Sequence, residues 1–356
     1  MSAENENSGN GEVEAREESS EGSVATSTDR LVDLYRNMVL VRTFEEACQK
    51  GFRKGKIGGY LHVYIGEEAV AVGFLDSFKE GDRVITAYRD HPHALLLGSD
   101  PKEVMAELYG KGTGLVKGKG GSMHLFDVEN GMMGGYGIVG GHIPLGVGMA
   151  YAQRYQDTEH ITQLYLGDGS MSQGAFHEAA NLAGLWGKDG LCPVVFIVEN
   201  NQYGMGTSVE RTTAMTDLAA KFDAYGIENE KVDGMDVEAV LEVAERVTEQ
   251  VRESGKPYAV EALTYRTAPH GAADFMEKYR DKEEVKEWRQ RDPIGLLEQK
   301  LIDSETIDED GLQEIKDEYK EQIDEAVQFA DESEEPAIEE LYTDVYSGED
   351  EYMGEE

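Results

Sequence analysis

Two apolar runs, each ending in a short polar motif and separated by helix-like text, constrain this chain more than any other feature. The first run, Ile161-Thr-Gln-Leu-Tyr-Leu166, leads into Gly167-Asp168-Gly169. The second, Pro193-Val-Val-Phe-Ile-Val-Glu199, leads into Asn200-Asn201. Between them, Gln173 to Trp186 has helical composition. Short apolar runs of this kind suit buried strands, so the unit reads as strand–loop–helix–strand. A helical crossover makes the two strands parallel and brings both motifs to the C-terminal edge of the sheet. Ligands bind at that edge in open α/β sheets. The expected fold class is therefore α/β, a parallel sheet flanked by helices.

The motifs suggest which ligand. The carboxylate of Asp168 and the amide oxygen of Asn201 are hard donors that suit Mg²⁺. Two side chains and a backbone carbonyl leave coordination positions that Mg²⁺ usually fills with phosphate oxygens and water. The glycines beside Asp168 let a diphosphate approach the backbone, and the following helix N-terminus favours an anion. Gly-Asp-Gly alone is a weak signal and could be an ordinary turn. Its strand–helix–strand setting and the Asn pair sharpen it into an expected metal–diphosphate site.

The spacing resembles the thiamine diphosphate motif. The surrounding text resembles the α subunits of the decarboxylating first component of 2-oxo acid dehydrogenases, the pyruvate dehydrogenase kind above all. The resemblance covers roughly residues 30–346. It is carried by Gly66-Glu-Glu-Ala69, Tyr88-Arg89 with His91, Lys117-Gly-Lys-Gly-Gly-Ser-Met-His124, Gly137-Ile-Val-Gly-Gly-His-Ile-Pro-Leu-Gly146 and Glu199 to Arg211. It implies a thiamine diphosphate-binding fold in which Asp168, Asn201 and the carbonyl of Tyr203 bind Mg²⁺. Gly169 and Ser170 would offer backbone N–H groups to the diphosphate, and Tyr88 and Arg89 would reach it. Arg89 suits that role because a guanidinium donates paired hydrogen bonds to phosphate. Gly137 and Val139 would hold the aminopyrimidine ring. His270 would touch the diphosphate from a mobile loop, and His91 and His62 would lie near the substrate carboxylate and reacting carbon. Histidine can move protons at neutral pH, which suits all three to catalysis.

The implied activity is decarboxylation of a 2-oxo acid, most readily pyruvate, with transfer of the acyl group to a lipoyl-bearing dihydrolipoamide acyltransferase. Acetoin and branched-chain 2-oxo acid enzymes are alternatives within the family. In that family a glutamate needed for cofactor activation belongs to a β subunit, so the expected enzyme is an α₂β₂ heterotetramer. A reading of another class is a non-enzymatic nucleotide-binding module. Gly135-Tyr-Gly-Ile-Val-Gly140 fits the dinucleotide glycine pattern, but the preceding Gly131-Met-Met-Gly134 does not read as a strand.

Charge excludes other partners. Seventy-two acidic residues against thirty-three basic give −39, which opposes affinity for nucleic acid or an anionic membrane. The excess runs from end to end and resembles halophilic proteins, whose self-repulsion salt screens. Two cysteines make no disulfide framework, and neither a signal peptide nor a membrane-length apolar run is evident. These features point to a cytoplasmic protein. The expected organisation is an acidic unstructured tail over 1–28, one domain over 29–346 and an acidic tail over 347–356. Asp29 reads as the cap of a first helix and Asp236 as the cap of a helix over 237–254. Further helices are expected over 101–109 and 308–330, and strands over 83–88 and 258–263. Residues 51–66 and 110–140 read as loops, the latter carrying eleven glycines.

Overall fold

The computed structural model describes residues 26–345. Strands β1 (Arg83–Ala87), β2 (Met132–Tyr136), β3 (Thr162–Gly167) and β4 (Val194–Asn200) come first. A small antiparallel hairpin follows, β5 (Tyr203–Gly204) with β6 (Thr207–Ser208), and then β7 (Glu228–Asp233) and β8 (Tyr258–Leu263). Six of these strands form one sheet in the order β2-β1-β3-β4-β8-β7, and every pairing in it is parallel. The helices are α1 (Thr28–Arg53), α2 (Glu68–Leu75), α3 (His91–Leu96), α4 (Pro101–Leu108), α5 (Ile143–Tyr155) and α6 (Gly174–Gly187). They continue with α7 (Val209–Thr212), α8 (Val237–Ser254), α9 (Lys282–Arg289), α10 (Pro293–Asp303) and α11 (Glu309–Glu332).

The central strands are apolar along their length because both faces of the sheet are covered. Successive side chains point to opposite faces, which divides the core in two. Leu164, Leu166, Phe196 and Val198 meet Ile143 and Val147 of α5 and Ala179 and Ala183 of α6. Tyr165, Val195 and Ile197 meet Val70 and Phe74 of α2 and Val240 and Val247 of α8. Each buried aliphatic side chain of this kind contributes roughly 1.5–3 kcal/mol. Outside α2 and α8 lies a further layer in which Leu34, Tyr35 and Met38 of α1 pack with Leu297 of α10 and Leu312 and Ile315 of α11.

Helix ends follow local chemistry. Asp236 accepts hydrogen bonds from the N–H groups of Glu238 and Ala239 to start α8, and Gly255 ends it at a φ of 66°. The first helix begins earlier than the sequence suggests. Ser27, not Asp29, caps α1, and Asp29 lies in its first turn, where a carboxylate suits the helix dipole. Residues 26–28 of the expected N-terminal tail therefore lead into and open α1, while residues 1–25 and the 347–356 tail lie outside the described residues. The loop expected from residue 51 begins after Arg53, where α1 ends.

The expectation that Gly131-Met-Met-Gly134 is no strand is also corrected. Met132–Tyr136 forms β2, an edge strand paired to β1. Its glycines are required by close approach: a Cβ on Gly135 would lie 1.8 Å from the Asp90 carboxylate, and one on Gly134 2.2 Å from the Phe126 ring. Gly134 also has a φ of +114°. The chain runs outward from β1 to β2, then returns past β1 to β3. Adjacent β1 and β3 thus flank the point where strand order reverses, and the crevice at their C-terminal ends is where such folds hold ligands. Both cysteines are free and buried. Among the described residues, no helix is long and apolar enough to cross a membrane.

Candidate active site

A cavity of about 320 Å³ opens at that crevice. The ends of four strands build it. Tyr88 and Arg89 follow β1, Asp168 to Ser170 follow β3, Asn201 and Tyr203 follow β4, and Arg266 and His270 follow β8. Val139 and Gly140, between β2 and α5, close one side. The β3–β4 register pairs Gly167 with Glu199, so Asp168 and Asn201 leave neighbouring strand ends together, as the sequence spacing requires.

Oxygen donors converge here. One nitrogen of the Arg266 guanidinium donates to Asn201 Oδ1 and to the Tyr203 carbonyl, both at 3.2 Å. Its other terminal nitrogen donates to the Met205 carbonyl at 3.1 Å. Asn201 Nδ2 donates to Glu67 Oε1 at 2.9 Å, which fixes the amide so that its oxygen faces Arg266. Asp168 is buried, and its Oδ2 has no hydrogen-bond partner among the described residues. Burial pushes the pKa of Asp168 up to about 6, with Arg266 pulling it down and Glu67 raising it. Burial and then Glu67 push the Glu199 carboxyl up as well, and the Tyr64 hydroxyl donates to it. A buried unpartnered carboxylate oxygen beside an amide and a carbonyl oxygen already gathered on a positive group is a donor set that fits a hard divalent cation.

Arg89 is buried along one wall. It donates to the Val63 carbonyl at 2.8 Å and to the His270 carbonyl at 2.9 Å. His270 lines the cavity, and its ring packs edge-on to Tyr88 and to His62, with centroids 5.7 and 5.1 Å away. Burial, then Arg89 and Arg266, lower the His270 pKa, and burial followed by Arg89 lowers that of His62 to about 3. Both shifts favour the neutral ring. His62 touches the cavity wall through Tyr88 and His270.

His91 is placed differently. The ring is fully buried at the start of α3, with Nδ1 2.8 Å from Glu45 Oε2 and Nε2 2.9 Å from Ser122 Oγ. Both nitrogens are engaged there. Gly137 lies beside the His124 ring, two residues before the cavity-lining Val139. Sequence reasoning passed over Arg266 and the Glu67–Glu199 pair. Arg266 had a readable signal, since it lies just past the end of β8 and four residues before His270.

The glycine-rich loop singled out in the sequence is organised from within. Glu107 of α4 is fully buried, and its carboxylate accepts from four backbone N–H groups. Val116 and Gly118 donate to one oxygen at 3.0 and 2.8 Å, and Gly120 and Gly121 to the other at 2.8 and 3.0 Å. Successive N–H groups of this kind resemble an anion nest, here filled by the protein's own side chain.

Fold and site together define an open parallel α/β protein with a crevice at its switch point whose oxygen donors fit a divalent cation. The chain belongs to the dehydrogenase E1 component family, which it matches over residues 36–339. It is 46% identical over 319 residues to a pyruvate dehydrogenase E1 component subunit alpha of Rickettsia felis, covering 89% of this chain and 96% of that one. A subunit of the same name from Rhizobium meliloti is 45% identical over 312 residues, 87% of this chain and 88% of the other. A chloroplastic alpha-3 subunit from Arabidopsis thaliana is 37% identical over 341 residues, 94% of this chain and 78% of the other.

Proposed function

We propose that this chain is the α subunit of a thiamine diphosphate- and Mg²⁺-dependent 2-oxo acid dehydrogenase E1 component, with pyruvate the favoured substrate. The unpartnered, buried Asp168 Oδ2 beside the gathered oxygens of Asn201 and Tyr203 carries this reading. Thiamine diphosphate, when bound, supplies the carbon nucleophile and electron sink that decarboxylation of a 2-oxo acid needs. The residues of this chain bind and orient. Asp168, Asn201 and the Tyr203 carbonyl would hold Mg²⁺. Arg89, Tyr88 and the N–H groups of Gly169 and Ser170 would meet the diphosphate, and Gly137 and Val139 the aminopyrimidine. His270 on the cavity wall, and His62 packed behind it and Tyr88, would orient the bound groups through their imidazole rings. His91 would act from behind, through the Ser122 segment it touches.

A second chain would complete the site. On α5, Leu145, Gly148, Ala152 and Tyr155 recur at helical spacing and are exposed, and Leu182 and Leu185 of α6 are exposed too. With the cavity-lining Val139 and its neighbour Ile138, both exposed, these residues make an apolar face. It suits a β subunit that completes the site, as in an α₂β₂ assembly. The acyl acceptor would be a lipoyl group on an acyltransferase, and a cytoplasmic location fits the reading. Calorimetry of thiamine diphosphate with Mg²⁺ tests it in the assembled enzyme. Asp168→Ala and Asn201→Ala should each abolish measurable cofactor retention, and retention equal to the parent would overturn the proposal.

A further inference from the structure

The Gly66-Glu-Glu-Ala69 motif lies behind the cavity, and its turn is wedged against the residues that follow β8. The Ile65 carbonyl accepts from the Thr267 N–H and the Gly66 carbonyl from the Thr264 hydroxyl, both at 3.2 Å. Gly66 has a φ of +101°, and a Cβ there would lie 2.3 Å from the Tyr265 carbonyl, so only glycine fits. The turn then opens α2, with Glu67 just before its first residue. A carboxylate at a helix start ordinarily serves that helix's own N–H groups. Glu67 makes no such bond. It is fully buried and spends its carboxylate on the strand ends that build the cavity.

Two cavity residues meet this one side chain. Glu67 Oε1 accepts from Asn201 Nδ2 at 2.9 Å. Its Oε2 lies 3.8 Å from Arg89 Nε and has no hydrogen-bond partner among the described residues. Glu67 is not part of the cavity lining, so it acts through these neighbours rather than on a ligand. The contact with Asn201 decides more. An amide presents oxygen on one side and NH₂ on the other in nearly the same shape, and a hard cation takes only the oxygen. Two partners set this amide: Glu67 at its nitrogen, and Arg266 at its oxygen at 3.2 Å. The same Arg266 nitrogen also holds the Tyr203 carbonyl. A cation taking those two oxygens competes with Arg266 for them. Glu67 is then the group that keeps the amide from turning over.

We infer that Glu67 is the positioning residue of the cation site: it holds the Asn201 amide with its oxygen toward the cavity and so sets the affinity for Mg²⁺. The inference rests on the functional reading above. The test uses the assembled enzyme at saturating thiamine diphosphate. Mg²⁺ is titrated by calorimetry, and Mn²⁺ by the electron paramagnetic resonance signal of the free ion. Glu67→Met fills the same space without an acceptor, and the melting temperature of the metal-free enzyme checks that it folds. It should raise both dissociation constants roughly 10- to 100-fold, the usual cost of losing a group that orients a metal ligand. Glu67→Gln keeps an acceptor for Asn201 Nδ2 and should stay within about threefold of the parent. In an Asn201→Asp background, where the ligand offers oxygen on both sides, Glu67→Met should cost no further affinity. Three results would overturn the inference: unchanged dissociation constants in Glu67→Met, a Gln variant as damaged as the Met variant, or the same loss from Glu67→Met in both backgrounds. A parent enzyme that retains neither metal nor thiamine diphosphate would instead overturn the functional reading.

Discussion

Replacing Glu107 by Gln exchanges one carboxylate oxygen for an NH₂ group and changes little else in size. The carboxylate holds residues 116–121 by four N–H donors, two on each oxygen, at 2.8–3.0 Å. The amide keeps two of these bonds and turns its own N–H groups against the other two donors. A hydrogen bond to a charged group is worth about 1.5–3 kcal/mol, so losing two puts the cost at roughly 3–6 kcal/mol. Relaxation of the loop and entry of water draw the expected value toward the lower end. The effect should spread, because Ser122 touches His91 and His124 Nδ1 contacts the Gly135 carbonyl at 3.1 Å. Denaturant unfolding measures the loss, provided the m value is unchanged. Hydrogen exchange at the amides of Val116, Gly118, Gly120 and Gly121 locates it. A Gln variant within about 1 kcal/mol of the parent, with those amides still protected, would refute the reasoning.

Acid should destabilise the fold through its buried histidines. His142 is buried against the Tyr165 carbonyl at 2.8 Å, and burial lowers its pKa to about 4; burial lowers that of His93 to about 3. Each is neutral when folded and takes a proton more readily when unfolded, near pH 6.5. Their stabilising contribution is complete above that pH and is lost as pH falls toward 4. His142 alone accounts for roughly 3 kcal/mol, so His142→Gln should flatten the slope of stability with pH, and an unaltered slope would count against it. With 72 acidic and 33 basic residues, the melting temperature should climb between about 0.1 and 2 M KCl as repulsion is screened, and a flat or falling trend would argue against halophilic adaptation.

Much of the fold was legible where local pattern and long-range packing agree. The apolar runs before Asp168 and Asn201 are β3 and β4, and the intervening text is α6. The amphipathic stretches at 237–254 and 308–330 are α8 and α11, the latter running over Glu309–Glu332. Periods of two and 3.6 residues are written in the chain itself and survive burial. The strand β2 was not legible, because its glycines carry no strand preference. It forms because Asp90 and Phe126 leave no room for side chains there and β1 offers an unpaired edge. The inward turn of His91 was equally hidden, since its partners Glu45 and Ser122 are remote in the chain.

By itself, then, the sequence determined a parallel α/β sheet, the strand ends that present Asp168 and Asn201, and a strongly acidic surface. Only the tertiary structure decided that Arg266 gathers the Asn201 and Tyr203 oxygens, that Glu107 fills the glycine-rich nest, and that Glu67 stands between Asn201 and Arg89. The reason is physical. Periodicity and turn chemistry act over a few residues, whereas burial, charge and hydrogen-bond pairing act between segments that only the folded chain brings together.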